Sequence, residues 1–265
     1  MNSTQKIIKY GAIAFAIALI IGIFNFFTSA ILELTFFFDG DSSLTKSMIE
    51  TRVESTINKI EINLKATSIE IKEGSEFLVS TNNKKIEITE NDNCLTIKET
   101  SQKYSKNAKL IIYLPTGNSL TNLSLDGGAG QVSLNDITTD HLKLQLGAGN
   151  SEINNLTVKN SSSIEGGAGN LSIYRGRIKN LDLDLGVGNV TIEAELLGQN
   201  KIEAGIGNLN VNLLGKKDNY QIKATKGIGK ITINDASVKA DTTFGNGDNY
   251  LNLNCGIGNI TVSFK

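Results

Sequence analysis

The chain has 265 residues, with 26 Lys and Arg against 27 Asp and Glu, so its formal net charge is -1. This balance lacks the basic surface that phosphate backbones require and argues against nucleic-acid binding. One His, two Cys, three Arg and no Trp leave few side chains for nucleophilic catalysis or for a zinc site of the usual ligands. We therefore predict that the chain is not an enzyme and holds no metal and no other cofactor.

The N-terminal segment is typical of a membrane anchor. Residues 10–32 contain no charged side chain, and as a helix they would be about 34 Å long, enough for a hydrocarbon core of about 30 Å. A secretory signal peptide is the alternative, but its apolar core would be only about 7–15 residues long. Lys6 and Lys9 precede the span and acidic residues follow it. The positive-inside rule therefore places residues 1–9 in the cytoplasm and the rest of this single-pass membrane protein outside.

The segment after the anchor changes in character twice. Residues 33–58 form a predicted stalk or lead-in, which is polar from Asp39 onward and contains a predicted short helix over Thr45–Ile57. From Lys59 the apolar residues alternate with polar ones in runs of about five, which predicts half-buried strands. Because no helical period reappears downstream, residues 59–265 are predicted to form an extracytoplasmic all-β domain.

An internal repeat occupies most of this domain. A Gly-x-Gly triplet recurs seven times in this repeat, with the first glycines 19, 20, 19, 19, 22 and 29 residues apart, and a further triplet, Gly245-Asn246-Gly247, lies in the last interval. The last interval predicts an irregular coil or an inserted loop. The paired glycines are Gly128 and Gly130, Gly147 and Gly149, Gly167 and Gly169, Gly186 and Gly188, Gly205 and Gly207, Gly227 and Gly229, and Gly256 and Gly258.

Apolar residues keep fixed offsets from each triplet. They lie five and three residues before the first glycine and four and six residues after it, as with Leu181, Leu183, Val190 and Ile192 around Gly186. This predicts two strands joined at a corner, where glycine supplies a positive φ. A unit of about 20 residues cannot bury its apolar face alone, so we predict a β-solenoid, a parallel β-helix of stacked coils. A β-propeller would require repeats of about 40 residues.

Three further columns of residues follow from the alignment. The residue between the glycines changes from Ala to Val and then Ile, and we expect it to point inward, with Ile206 as an example. Acidic residues at Glu165, Asp184 and Glu203 form a stripe that lysines accompany, which favours a solvated surface over a metal site. After the glycines comes a column of amides that can hydrogen-bond from coil to coil as a polar ladder. Its asparagines are Asn150, Asn170, Asn189, Asn208 and Asn259.

The leading strands, the segment Leu110–Pro115 and the Gly-x-Gly-Asn repeats together resemble a bacterial family of unknown function known as "putative adhesin" β-strand-repeat proteins. The resemblance spans roughly Lys59–Lys265. It implies a β-solenoid that is secreted or tethered by one N-terminal helix. Some membrane-anchored members are similar to accessory proteins of envelope-stress systems. The family implies no catalytic residues.

The leading functional hypothesis is a non-catalytic, membrane-tethered surface module that contacts an envelope polymer or a membrane-protein partner. One alternative is a polysaccharide-acting β-helix enzyme, since some β-helical proteins cleave glycans. Another is a structural spacer or polymer, because the repeat surface is regular and rich in asparagine.

Overall fold

The computed structural model describes residues 44–100 and 107–265. The predicted cytoplasmic tail, the anchor at residues 10–32 and the start of the stalk lie outside the described residues. Within the described part of the chain, no helix is long and apolar enough to cross a membrane. The described residues belong to one compact unit, Ser42–Lys265, which contains the whole of the described hydrophobic core.

Almost all regular structure in the described residues is β-strand, apart from one 3-10 turn at Lys217–Asn219. The predicted all-β class is therefore confirmed. The strands in chain order are β1 (Leu44–Arg52), β2 (Lys59–Leu64), β3 (Ser68–Gly74), β4 (Leu78–Asn83), β5 (Ile86–Asn91), β6 (Cys94–Glu99), β7 (Lys109–Pro115), β8 (Leu120–Gly127), β9 (Val132–Asn135), β10 (Thr138–Ala148), β11 (Ser151–Asn154), β12 (Thr157–Ala168), β13 (Leu171–Lys179), β14 (Leu181–Val187), β15 (Val190–Leu197), β16 (Gln199–Ile206), β17 (Leu209–Leu213), β18 (Tyr220–Ile228), β19 (Ile231–Ile233), β20 (Ala236–Val238), β21 (Thr243–Phe244), β22 (Asn249–Ile257) and β23 (Ile260–Phe264).

The short helix predicted over Thr45–Ile57 is wrong. Leu44–Arg52 forms strand β1, which pairs antiparallel with β4. An isolated helix of this length is marginal in water, whereas the edge of β4 offers unpaired backbone groups to an extended neighbour. The tertiary pairing therefore overrides the weak helical period, and Val53 and Ile57 enter the core from irregular backbone.

Successive repeats form one coil each, and the coils stack in parallel. In the strand before the glycines, Leu144 pairs with Ile164, and Ile164 pairs with Leu183 of the next coil. In the strand after the glycines, Ile153 pairs with Ile173. Equivalent residues of neighbouring coils are therefore about 4.8 Å apart. This parallel pairing in a shared register is what a solenoid requires.

The predicted apolar columns on both strands point into the coil stack. Leu144, Leu183 and Ile202 before the corner, and Ile173 and Ile192 after it, are all fully buried. Because neither strand of one coil covers the apolar face of its partner completely, the core forms only when neighbouring coils stack.

The last repeat lies one place inside the end of the stack. Strand β22 sits between β16 and β18, so that Leu253 pairs with Ile202 on one side and with Ala224 on the other. In chain order, β18 and β19 come first and form the outermost coil. The chain then turns back, and β22 and β23 form the coil between the outermost coil and the β16–β17 coil. The intervening strands β20 and β21 pair antiparallel with β19 and β18. The long final interval of the repeat therefore corresponds to a cap and a return.

The N-terminal end has a related arrangement. The coil formed by β2 and β3 lies between the β6–β7 coil and the β8–β9 coil. Strand β5 pairs antiparallel with β6, β4 with β7, and β1 with β4. At both ends of the stack, antiparallel strands therefore pair with strand edges, so fewer unpaired backbone groups are exposed to another chain and aggregation is limited.

A buried carboxylate organises the corner of the β2–β3 coil, where Lys65, Ala66 and Thr67 replace the glycine triplet. One oxygen of Glu99 accepts hydrogen bonds from the backbone N–H groups of these three residues at 2.8, 3.0 and 3.2 Å. The other oxygen accepts from Thr67 Oγ1 at 2.8 Å and from Asn83 Nδ2 at 2.9 Å. A side chain from the neighbouring coil thus satisfies a corner that has no glycines.

We predict that Glu99→Ala lowers the free energy of unfolding of residues 42–265 by at least about 3 kcal/mol, because several donors lose their acceptor in a buried site. Glu61→Ala, on the exposed side of β2, is the control and should change it by no more than about 0.5 kcal/mol. Denaturant unfolding measures both. Equal stability of Glu99→Ala and the unmodified domain would contradict this role for the carboxylate.

Candidate functional site

The Gly-x-Gly triplets are points where the backbones of neighbouring coils touch. At all fourteen glycines, an added Cβ would lie within 3.0 Å of a backbone carbonyl oxygen of the adjacent coil. At Gly205 the distance to the carbonyl oxygen of Gly186 would be 2.5 Å, and at Gly207 the Cβ would overlap the carbonyl oxygen of Gly188. Any side chain here would force the coils apart.

The positive φ expected at the corner belongs to the second glycine, in six of the seven triplets, and Gly130 is the exception. Gly207 has a φ of 147°, and its equivalents in the neighbouring coils have values of 143° and 148°. The first glycine, such as Gly205, is not among the residues with positive φ, and it is required because of the backbone contact instead. The two glycines therefore have different physical roles.

The residue between the glycines points outward, so the predicted inward position of Ile206 is wrong. Val187, Ile206 and Ile257 have 46%, 46% and 48% of their surface exposed, and Ile228 has 70%. The interior at the corner is already occupied by the residue before the first glycine, as with Leu185. The close backbone contact leaves no further space inside.

These four side chains form one continuous feature, which we call the apolar ridge. Val187 pairs in register with Ile206, Ile206 with Ile257, and Ile257 with Ile228. Toward the N-terminal end the same row continues with Ala168 and then Ala148. Glycines flank every residue of the ridge, so no adjacent side chain covers it.

The predicted column of asparagines lies two residues beyond the ridge residue in each coil. The Oδ1 atom of Asn150 accepts from the backbone N of Asn170 at 3.2 Å and from its Nδ2 at 3.3 Å. The same pair of bonds joins Asn189 to Asn170 and Asn208 to Asn189. The backbone N of Asn259 then donates to Oδ1 of Asn208 at 3.1 Å. The amides are therefore hydrogen-bonded along the stack.

The outward side chains of the strands after the corner form a polar surface, which we call the amide face. It extends from the asparagine column across β11, β13, β15, β17, β23 and β19 and consists mainly of amides and hydroxyls. Its C-terminal half comprises Asn189, Thr191, Glu193, Asn208, Asn210, Asn212, Asn259, Thr261, Ser263, Lys230, Thr232 and Asn234.

The acidic stripe lies on the opposite side of the ridge. Glu165, Asp184 and Glu203 pair in register on successive coils. Lys201 Nζ lies 2.6 Å from Glu203 Oε2. The hydrogen bond from Lys201, and to a smaller extent the one from Asn254 Nδ2, lowers the pKa of the Glu203 carboxyl. Among the described residues, no three His, Cys, Asp or Glu side chains are grouped so that they could hold a metal ion. The stripe borders a shallow, open groove.

The remaining candidate side chains are apart from one another. Cys255 is buried, its Sγ donates to the carbonyl oxygen of Gly207 at 3.3 Å, and burial raises the pKa of its thiol. Cys94 is half-buried in β6, and both cysteines are free thiols. His141 is exposed, and its Nδ1 lies 2.8 Å from Ser161 Oγ.

The outward position of the ridge can be tested by substitution in residues 42–265. We predict that Ile206→Asp changes the free energy of unfolding by no more than about 0.5 kcal/mol, because the carboxylate stays in water. Ile202→Asp, in a fully buried position on the same strand, should cost several kcal/mol. Gly207→Ala should cost at least about 2 kcal/mol, because it adds a Cβ at a positive φ and against backbone.

Denaturant unfolding of the three variants shows whether Ile206 lies outside the coil stack while Ile202 lies inside it. An Ile206→Asp variant as unstable as Ile202→Asp would place the ridge residue inside the stack and contradict the assignment.

Comparisons with known proteins found similar solved structures and one matching family. Similar solved structures include a putative cell adhesion protein from Clostridium sporogenes, at 17% identity over 83% of this chain and 99% of that chain, with a TM-score of 0.34. A putative adhesin from Bacteroides fragilis matches at 16% identity over 82% and 98%, with a TM-score of 0.36. A putative lipid binding protein from Parabacteroides distasonis matches at 13% identity over 83% and 98%, with a TM-score of 0.37.

No curated protein matches the chain. Residues 57–254 match the family described as Toastrack DUF4097. Since this match covers about three quarters of the sequence, the chain belongs to the Toastrack DUF4097 family.

Proposed function

We propose that the protein is a non-catalytic, membrane-tethered surface module that binds a neutral, hydroxyl-rich polymer of the cell envelope along its amide face. The observation that carries this proposal is the composition of that face. Of the twelve outward side chains named for its C-terminal half, ten are amides or hydroxyls and the other two are Glu193 and Lys230, and the strands that carry them pair in parallel.

The chemistry of the amide face suits a glycan. Amides and hydroxyls both donate and accept hydrogen bonds, as sugar hydroxyls do, and they need no charge on the ligand. The ladder bonds hold the asparagine column in place, so those side chains lose little freedom when a ligand binds. Repetition on successive coils allows several weak contacts to act together on one polymer.

The tether is the proposed role of residues 10–32, which carry no charge and follow Lys6 and Lys9. This orientation would place the solenoid outside the membrane, in the compartment of envelope polymers. Capping by β1, β4 and β5 at one end and by β20 and β21 at the other disfavours end-to-end assembly, the property that a structural polymer would need.

Polymer binding can be tested on three side chains of the amide face that make no side-chain hydrogen bond to a described residue. We predict that Thr191→Ala, Asn210→Ala and Thr261→Ala, made together in residues 42–265, weaken co-sedimentation with purified wall glycan at least about tenfold, because their hydrogen bonds to the polymer are lost. Folding should be unchanged, since these side chains point outward.

A matched control uses two hydroxyls and one amide on the face before the corner: Ser124→Ala, Ser163→Ala and Asn252→Ala. This triple variant should bind the glycan as the unmodified domain does. Equal loss in both triple variants, or no sedimentation of the unmodified domain, would contradict polymer binding by the amide face.

The orientation has its own test in intact cells whose wall has been opened. Protease added from outside should remove the repeat domain of the full chain and leave a short membrane-bound fragment that contains residues 10–32. Complete protection of the repeats, with cleavage only after membrane lysis, would contradict the proposed topology.

A further inference from the structure

The outermost coil has three lysines and no acidic residue from the start of β18 to the end of β19. In β18, Lys226 takes the place before the first glycine that is apolar and buried in other coils, as with Leu185 and Ala204. Two residues after Ile228, Lys230 replaces the ladder asparagine. Lys223 lies on the outward side of the same strand. At this end of the apolar ridge, Lys226 and Lys230 each lie two residues from Ile228, and Lys223 lies further back on the same strand.

These lysines are not neutralised by close carboxylates. None of the three makes an ion pair with a residue that the structure describes. The neighbouring carboxylate of Asp241 instead accepts a hydrogen bond from Thr225 Oγ1 at 2.9 Å. The ammonium groups are thus available to an external anion.

The ridge lies at the corner of the coils and is exposed to solvent. Ile228 is the most exposed of its residues, and Ile257, Ile206 and Val187 follow it along the edge of the stack with only glycine on either side. A row of exposed aliphatic side chains next to lysines is a combination by which proteins attach to the surface of a membrane. The aliphatic groups enter the headgroup region, and the ammonium groups attract anionic lipids.

We propose that the apolar ridge, together with Lys223, Lys226 and Lys230, docks on a bilayer that contains anionic phospholipid. This inference goes beyond the proposed polymer binding and does not depend on it, because the two surfaces share only Lys230 at the end of the asparagine column. The charge complementarity favours the bilayer over a second copy of the chain. A stable protein dimer would also require about 800 Å² from each partner, far more than four half-exposed aliphatic side chains supply.

The test uses residues 42–265, the compact unit that contains the described core, so that the predicted anchor cannot insert. The domain is floated with vesicles of phosphatidylcholine alone or of phosphatidylcholine mixed with phosphatidylglycerol. We expect it to bind the phosphatidylglycerol vesicles, to bind them less as salt is added, and to leave phosphatidylcholine vesicles unbound.

Two variants examine the two parts of the surface. One carries Ile206→Ser, Ile257→Ser and Ile228→Ser, and the other carries Lys223→Gln, Lys226→Gln and Lys230→Gln. Each should reduce binding to the phosphatidylglycerol vesicles by about tenfold or more. Thermal melts should match that of the unmodified domain, because the substituted side chains are not part of the core.

Matched controls exist elsewhere on the domain. Ile49 in β1 is 43% exposed, and Ile49→Ser should leave vesicle binding unchanged. A triple variant of exposed lysines on other coils, Lys59→Gln, Lys98→Gln and Lys143→Gln, should also retain it. The two triple variants remove the same net charge, so a difference between them reports the position of the lysines and not the total charge.

The outcomes separate this proposal from the proposed function. The amide-face variant that loses wall glycan should still bind phosphatidylglycerol vesicles. Equal binding to both vesicle types, no binding to either, or unchanged binding by the isoleucine variant would overturn the docking proposal without affecting glycan binding. Self-association that the isoleucine substitutions abolish, in a domain that ignores vesicles, would overturn it in favour of a second copy.

Discussion

Backbone contact between neighbouring coils at the Gly-x-Gly corners is the constraint on which the rest of the structure depends. Because a Cβ at Gly205 or Gly207 would collide with a carbonyl oxygen of the adjacent coil, both positions must be glycine. The corners in turn keep the strands on either side in register, so Leu183 and Ile192 meet their equivalents and bury a continuous core. The same contact leaves no space inside for the residue between the glycines, which therefore points outward and forms the apolar ridge.

The faces of the solenoid follow from this one corner. Outward residues before it form the acidic stripe, the residue within it forms the ridge, and outward residues after it form the ladder and the amide face. Each row repeats from coil to coil, so the residue type at one position of the repeat determines the character of a whole row along the stack. The outermost coil departs from the pattern at Lys226 and Lys230, where no further coil has to pack. There the surface changes from polar and neutral to cationic.

Much of this could be predicted from the sequence, because fixed offsets of apolar residues from glycine require two buried strands per repeat. The outward direction of Ile206 could not be predicted. Inward and outward side chains alternate along each strand, but the alternation changes phase at the corner, and the backbone contact there determines that change. The order of the coils could not either: repeats of similar sequence offer similar edges, and only the cap formed by β20 and β21 determines that the last repeat returns inside the end. The role of Glu99 could not be predicted, since its partners are three backbone N–H groups and the side chains of Thr67 and Asn83, all distant in sequence.

Amide hydrogen exchange at the second glycines tests the corner contact most directly. The backbone N–H groups of Gly188, Gly207 and Gly258 donate to the carbonyl oxygens of Ile206, Ile257 and Ile228 in the adjacent coil at 2.8, 2.9 and 2.8 Å. We expect these amides to exchange as slowly as those of the buried strands, because they open only when coils separate. Exchange at the rate of exposed turns would show that the coils do not touch at their corners, and would contradict the account.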